Sequence, residues 1–144
     1  VLFRSNKNNL LFCYPDTLFN KFLPQALQIN MIKNFISKFG KEISFYTGEN
    51  HFTYKKLGLF EKKLKTKPKI EGFVFFSFMQ FCYDRKDNIR ILENALTKKY
   101  EIYFVKENII LKNINDFKKK KEDLFYYKKT NSEIINLILD SFST

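Results

Sequence analysis

Residues 70–108 restrict the fold more than any other stretch of the chain. An apolar run from Ile70 to Phe78 (IEGFVFFSF) leads through a polar loop into an amphipathic segment from Asp84 to Tyr100. A second apolar run, Glu101 to Val105, then closes on Lys106-Glu107-Asn108. This is strand, helix, strand, the unit that builds a parallel sheet, because parallel neighbours cannot be joined by a tight turn and need a long crossover.

The same alternation extends in both directions. Leu10 to Tyr14 suits a buried first strand bounded by Pro15 and Asp16. Pro24 stands where a first helical turn tolerates it, and Leu23, Leu27, Met31 with Ile32, Phe35 with Ile36, and Phe39 recur at helical spacing as far as Gly40. Glu42 to Tyr46 reads as a second strand, followed by a polar turn from Thr47 to His51. Leu57, Phe60 and Leu64 mark a second helix closed before Pro68. The third strand is Phe73 to Phe78, and a third helix from near Asp84 carries Ile89, Leu92 and Leu96 on one stripe. The fourth strand is Glu101 to Val105, and Ile109 to Leu111 can add an edge strand. Asn113 to Lys129 reads as a partly exposed helix, and Thr130-Asn131-Ser132-Glu133 has the form of a capping box opening a last helix with Ile134, Ile135, Ile138 and Phe142 inside. No internal repeat is present. The pattern predicts an α/β fold: a three-layer αβα sandwich around a mostly parallel sheet of four or five strands.

A chain of 144 residues suffices for one domain with a full core, and that domain is expected over residues 10–144. The opening Val1-Leu2-Phe3-Arg4-Ser5 has no initiator Met and reads as a translated sequencing-library adapter on a metagenomic fragment, so residues 1–9 are expected to be disordered or artefactual. No apolar stretch approaches the roughly 18 to 20 residues of a membrane span. Cys13 and Cys82 form neither a metal-ligand spacing nor a disulfide framework, and a reducing cytoplasm is the expected compartment.

The net charge of +11 invites a nucleic-acid partner. Composition argues against one. There are 23 Lys against 3 Arg, with 14 Asn, 14 Ile, 18 Phe and 2 Ala, the usage of an AT-rich genome. Phosphate and guanine recognition favours the planar fork of Arg. The basic surface, including Lys118 to Lys121, therefore reads first as solvated.

In a doubly wound sheet, ligands bind outside the carboxyl ends of the strands, near the point where strand order reverses. That rule gathers Tyr14, Asp16 and Thr17 after the first strand; Thr47, Glu49, Asn50 and His51 after the second; Ser77 and Gln80 after the third; and Glu107 and Asn108 after the fourth. Each has a plainer role. Asp16 after Pro15 is a natural turn residue, Glu49 and Glu107 are loop carboxylates, and His51 is a lone loop histidine. Ser77 and Gln80 follow an apolar strand, where a polar side chain must find partners within the protein or a ligand. Glu49 and Glu107 are the candidate acid and base if a reaction occurs here. No G-x-G-x-x-G, Walker loop or G-x-S-x-G elbow occurs, and the chain has 4 glycines and 1 histidine, so the usual phosphate cradles, zinc sets and triads lack their residues. No cofactor is expected.

Two resemblances carry the functional expectation. The pattern from Phe12 to Phe35, followed by EISFYTGENHF, IEGFVFFSFMQF and IYFVKENI, resembles the bacterial sporadic carbohydrate cluster proteins, over about Leu11 to Asn115. Its most specific pieces are Leu23 to Gln28 with Asn30, Thr47 with Glu49, Ser77 with Gln80, and Glu107. The resemblance implies a place in biosynthesis of lipopolysaccharide O-antigen or another surface polysaccharide, without naming a reaction. It adds Gln28 and Asn30 to the candidate ligand contacts Tyr14, Asp16, Thr47, Asn50, His51, Ser77, Gln80 and Asn108, with a sugar nucleotide or sugar phosphate as the ligand. More remotely, the order of elements is similar to the resolvase-like catalytic domain of serine recombinases, a flavodoxin-like arrangement, which implies a sheet in order 2-1-3-4 with a fifth strand at the edge. The nucleophile and arginines of that family are missing, since the two motif sites read Phe12-Cys13-Tyr14-Pro15-Asp16-Thr17 and Phe78-Met79-Gln80-Phe81-Cys82-Tyr83. Recombination is thereby excluded. The alternatives are a nucleic-acid-binding remnant of that fold and an interaction module for a pathway enzyme, using aromatics such as Phe125, Tyr126 and Tyr127. A homodimer fits the remoter resemblance.

Overall fold

The computed structural model describes residues 9–47, 58–81 and 88–130. The elements run β1 (Leu10–Tyr14), α1 (Gln25–Ser37), β2 (Glu42–Tyr46), α2 (Gly58–Lys65), β3 (Gly72–Phe75), α3 (Asn88–Thr97), β4 (Glu101–Phe104), β5 (Ile109–Leu111) and α4 (Ile114–Thr130), with 3-10 turns at Leu18–Lys21 and Phe78–Phe81. The five strands form one sheet of order β2-β1-β3-β4-β5, parallel throughout except for the antiparallel β5. This is the expected α/β sandwich and the expected strand order. Among the described residues no helix is long and apolar enough to cross a membrane.

Strand alternation sorts the core into two layers, because successive side chains point to opposite faces. On one face Leu11, Cys13, Val74, Phe76 and Tyr103 meet Ile32, Phe35 and Ile36 of α1. On the other, Phe12, Tyr14, Phe73, Phe75 and Phe104 meet Phe60 and Leu64 of α2, Leu92 and Leu96 of α3, and Phe117 and Leu124 of α4. The second layer is knitted by aromatic rings. Phe60 stands edge-on to Phe73 at 4.8 Å and to Phe75 at 5.1 Å, and Phe81 packs at 4.8 Å from Phe75. Each fully buried Phe contributes on the order of 1.5–3 kcal/mol. Such edge-to-face pairs add about 0.5–1.5 kcal/mol beyond area.

Two strand ends and one helix face differ from the sequence reading. The third strand stops at Phe75 instead of Phe78, because Ser77 and Gln80 fold the chain into the following 3-10 turn. The fourth stops at Phe104 instead of Val105, where the chain begins its turn into β5. On α1 the buried positions are Gln28, Ile32, Phe35 and Ile36, while Leu27 and Met31 are exposed. The helical period was legible, but its phase depended on Gln28 being held inside. Leu57, Asp84 and the last helix expected after Thr130 lie outside the described residues.

Candidate functional site

The carboxyl end of the sheet is where the sequence gathers its polar residues. Among the described residues the buried polar or charged side chains are Asp16, Gln28, Ser77, Gln80 and Glu107, all 6% exposed or less. Four of them sit in the turns that follow β1, β3 and β4, and Gln28 reaches the same rim from α1. At such burial each polar group must be paired, since an unpaired one costs about 1–3 kcal/mol.

The turn after β1 is organised around Asp16 and Gln28. An Asp16 carboxylate oxygen accepts the Phe19 N–H at 3.1 Å, starting the 3-10 turn. The Gln28 amide works as a two-sided clamp. Its oxygen accepts the Asp16 N–H at 2.7 Å, and its nitrogen lies 3.0 Å from the Asp16 carbonyl, 2.9 Å from that of Leu23 and 3.2 Å from Asn20 Oδ1. Two amide hydrogens serve three acceptors, so one is shared. A buried Gln is thus the residue that turns β1 into α1.

The turns after β3 and β4 are tied to each other. Ser77 donates its hydroxyl to Glu107 Oε2 at 2.7 Å, and the Phe78 N–H donates to Glu107 Oε1 at 3.0 Å. The Ser77 oxygen in turn accepts the Met79 N–H at 3.1 Å. Gln80 accepts the Ser77 N–H at 3.1 Å and donates to the Tyr14 carbonyl at 3.0 Å. Strand order reverses between β1 and β3, and that Gln80 bond spans the carboxyl ends of those two strands. Burial pushes the Glu107 carboxyl above its ordinary range, against the bonds from Phe78 N–H and Ser77 and the charge of Lys106, which pull it down.

The remaining candidates divide. Thr47, half-buried, donates its N–H to the Cys13 carbonyl at 3.1 Å. Asn30 is exposed on α1. Asn108 is exposed and holds φ +57° in the turn between β4 and β5, a left-handed conformation that Asn tolerates. Glu49, Asn50, His51 and Cys82 lie outside the described residues. Cys13 is free and buried, and burial pushes its thiol up to about 12.

Beside this closed rim lies an open cleft of about 260 Å3, between α2 and the carboxyl ends of β1 and β2, lined by Phe12, Tyr14, Thr47, Leu59, Lys62, Lys63 and Thr66. Lys63 Nζ stands 4.7 Å from the centre of the Phe12 ring, within cation–π range. The surface of this shallow cleft is mostly apolar, and two lysines and two threonines stand among its lining residues. Tyr14 and Thr47 belong to the candidate set from the sequence. Lys62, Lys63 and Thr66 do not, because three lysines in the last turn of a helix are first explained by the helix dipole, and 23 lysines hide any two. Among the described residues no group of three or more His, Cys, Asp or Glu could hold a metal ion.

No protein-family model matches the chain, and neither a curated protein nor a solved structure matches it.

Proposed function

We propose that the protein binds a small sugar phosphate in the cleft beside β1 and β2, and that it serves surface-polysaccharide biosynthesis as a cytoplasmic binding or accessory protein. The observation that carries this reading is the lining of the cleft: Lys62 and Lys63 for an anion, Thr47 and Thr66 for hydroxyls, the Thr66 oxygen as an acceptor since its proton goes to the Lys63 carbonyl, over a floor closed by the buried Phe12 and Tyr14 rings. An open cleft of about 260 Å3 has room for a monosaccharide phosphate. The pathway comes from the resemblance of the chain to sporadic carbohydrate cluster proteins; the ligand chemistry comes from the cleft. In this reading Glu107 and Ser77 hold the turns that shape the rim, and neither acts on the ligand.

The test is a thermal melt of the full chain with glucose 1-phosphate, glucose, inorganic phosphate and UDP-glucose. A ligand at about 100 times its dissociation constant adds roughly 2.7 kcal/mol of apparent stability. Glucose 1-phosphate should raise the melting temperature, glucose should not, and Lys63→Gln combined with Thr66→Val should remove the shift. A melt that none of the phosphates moves, or a shift that survives the double substitution, overturns the reading.

A further inference from the structure

β2 is the outer strand of the sheet. β1 pairs its inner side, and among the described residues no strand pairs its outer side. Such an edge offers a ladder of N–H and C=O groups to any extended chain that lies beside it. Two large apolar side chains stand on this edge half in solvent, Phe45 at 56% and Tyr46 at 50% exposure. Their β1 partners are Phe12 and Cys13, which belong to opposite core layers, so Phe45 and Tyr46 mark opposite faces of the sheet.

Each face has a cleft against the strand. One, of about 490 Å3, lies by Lys33, Ile43 and Tyr46 and extends over the edge to Ser44 and Phe45, which line both clefts. The other, of about 380 Å3, lies by Phe45, Lys63, Lys69 and Ile70. The side chains of an added strand alternate between faces, so successive ones would enter the two clefts in turn. Lysine stands at both, and no carboxylate lines either.

We propose that the β2 edge docks an acidic, extended peptide segment of a partner protein, taken up as an added strand of the sheet. Charge complementarity selects this occupant. A second copy would bring another +11 chain and its own edge lysines into the same clefts. A phosphate backbone would meet the lysines and leave the peptide ladder and the apolar side chains unused. Lysines on an edge strand are also a common guard against edge-to-edge aggregation, as is the register shift between Leu11 and Phe12 opposite Ser44. That accounts for the charges alone; two half-exposed aromatics make an edge more adhesive.

The test uses the full chain and a fluorescein-labelled peptide of about eight residues repeating Glu-Glu-Val-Val, which presents both residue types to each face, with a Lys-Lys-Val-Val counterpart and a short DNA duplex as comparisons. Fluorescence anisotropy reads binding, and hydrogen exchange reads where it occurs. The acidic peptide should bind and slow exchange within Glu42–Tyr46, and the basic peptide should not bind. Lys33→Glu with Lys69→Glu, two exposed positions outside the sugar-phosphate cleft, should weaken binding about tenfold or more. Phe45→Lys should weaken it as well. The inference is overturned by a silent acidic peptide, by equal binding of the two peptides, by unchanged affinity in the double variant, or by protection that falls outside β2. Binding of the duplex without the peptide, or self-association through the same amides, overturns it in favour of a nucleic acid or of a second copy.

Discussion

Glu107 shows how one side chain can hold two turns. Its two oxygens accept from the Ser77 hydroxyl and the Phe78 N–H, joining the end of β3 to the turn after β4. Glu107→Ala would leave both donors buried without that acceptor and open a small void, and should cost about 2–4 kcal/mol in denaturant unfolding. Glu107→Gln keeps an acceptor for Phe78 and removes the buried charge. Because burial raises the Glu107 pKa above 4.5, its folded value exceeds its unfolded one. Its contribution is therefore full below the unfolded pKa and is lost as pH rises through the folded pKa. The stability of Glu107→Gln relative to the unsubstituted chain should accordingly improve between mildly acidic and neutral pH. A flat difference across that window would remove the buried charge from the account. At this scale the sequence singled out Asp16, Gln28, Ser77, Gln80 and Glu107 as candidate ligand contacts or catalytic groups, from their places after apolar strands or in a motif, and the structure shows them as buried side chains bonded within the protein. The sequence could not say which bonds join one turn to another, since those link residues 12 to 66 positions apart in the chain.

Among the elements, β3 is the most constrained. Gly72 faces Glu101 in the register with β4, and a Cβ at Gly72 would overlap the Glu101 backbone, which cannot swing aside as a side chain could. Gly72→Ala should therefore destabilise by about 3 kcal/mol or push β3 and β4 out of register, measurable as a lowered midpoint in denaturant and lost exchange protection at Glu101–Phe104. The same edge carries Lys41 paired with Glu71, and the Tyr103 hydroxyl donating to Glu101 at 2.8 Å. Burial, together with the neighbouring Glu71, raises the Glu101 carboxyl. α1 makes the opposite point about legibility. Apolar spacing found the helix, yet Leu27 and Met31 face solvent and Gln28 faces the core, because its amide satisfies backbone groups that no apolar side chain could.

For the whole molecule, the net charge of +11 sets the long-range field. Self-repulsion among lysines opposes compaction, and added salt screens it over about 8–10 Å near physiological ionic strength. The melting temperature should rise when a non-binding salt is added at neutral pH; a fall would mean that local ion pairs such as Lys41–Glu71 outweigh the field. The strand order was expected from the resemblance to resolvase-like domains, whereas the order of elements was determined by the sequence alone, because the switch between two-residue and 3.6-residue periodicity is a local property of the chain. So was the rim on which the polar residues fall, because crossovers deliver every parallel strand with its carboxyl end on one side. Only the tertiary structure decided that the rim is tied shut by Gln80 and Glu107, that the open cleft lies beside it by Lys62 and Lys63, and that Phe45 and Tyr46 of the edge strand stand half in water. These outcomes depend on distances between residues far apart in sequence, and such distances are set by how the layers pack.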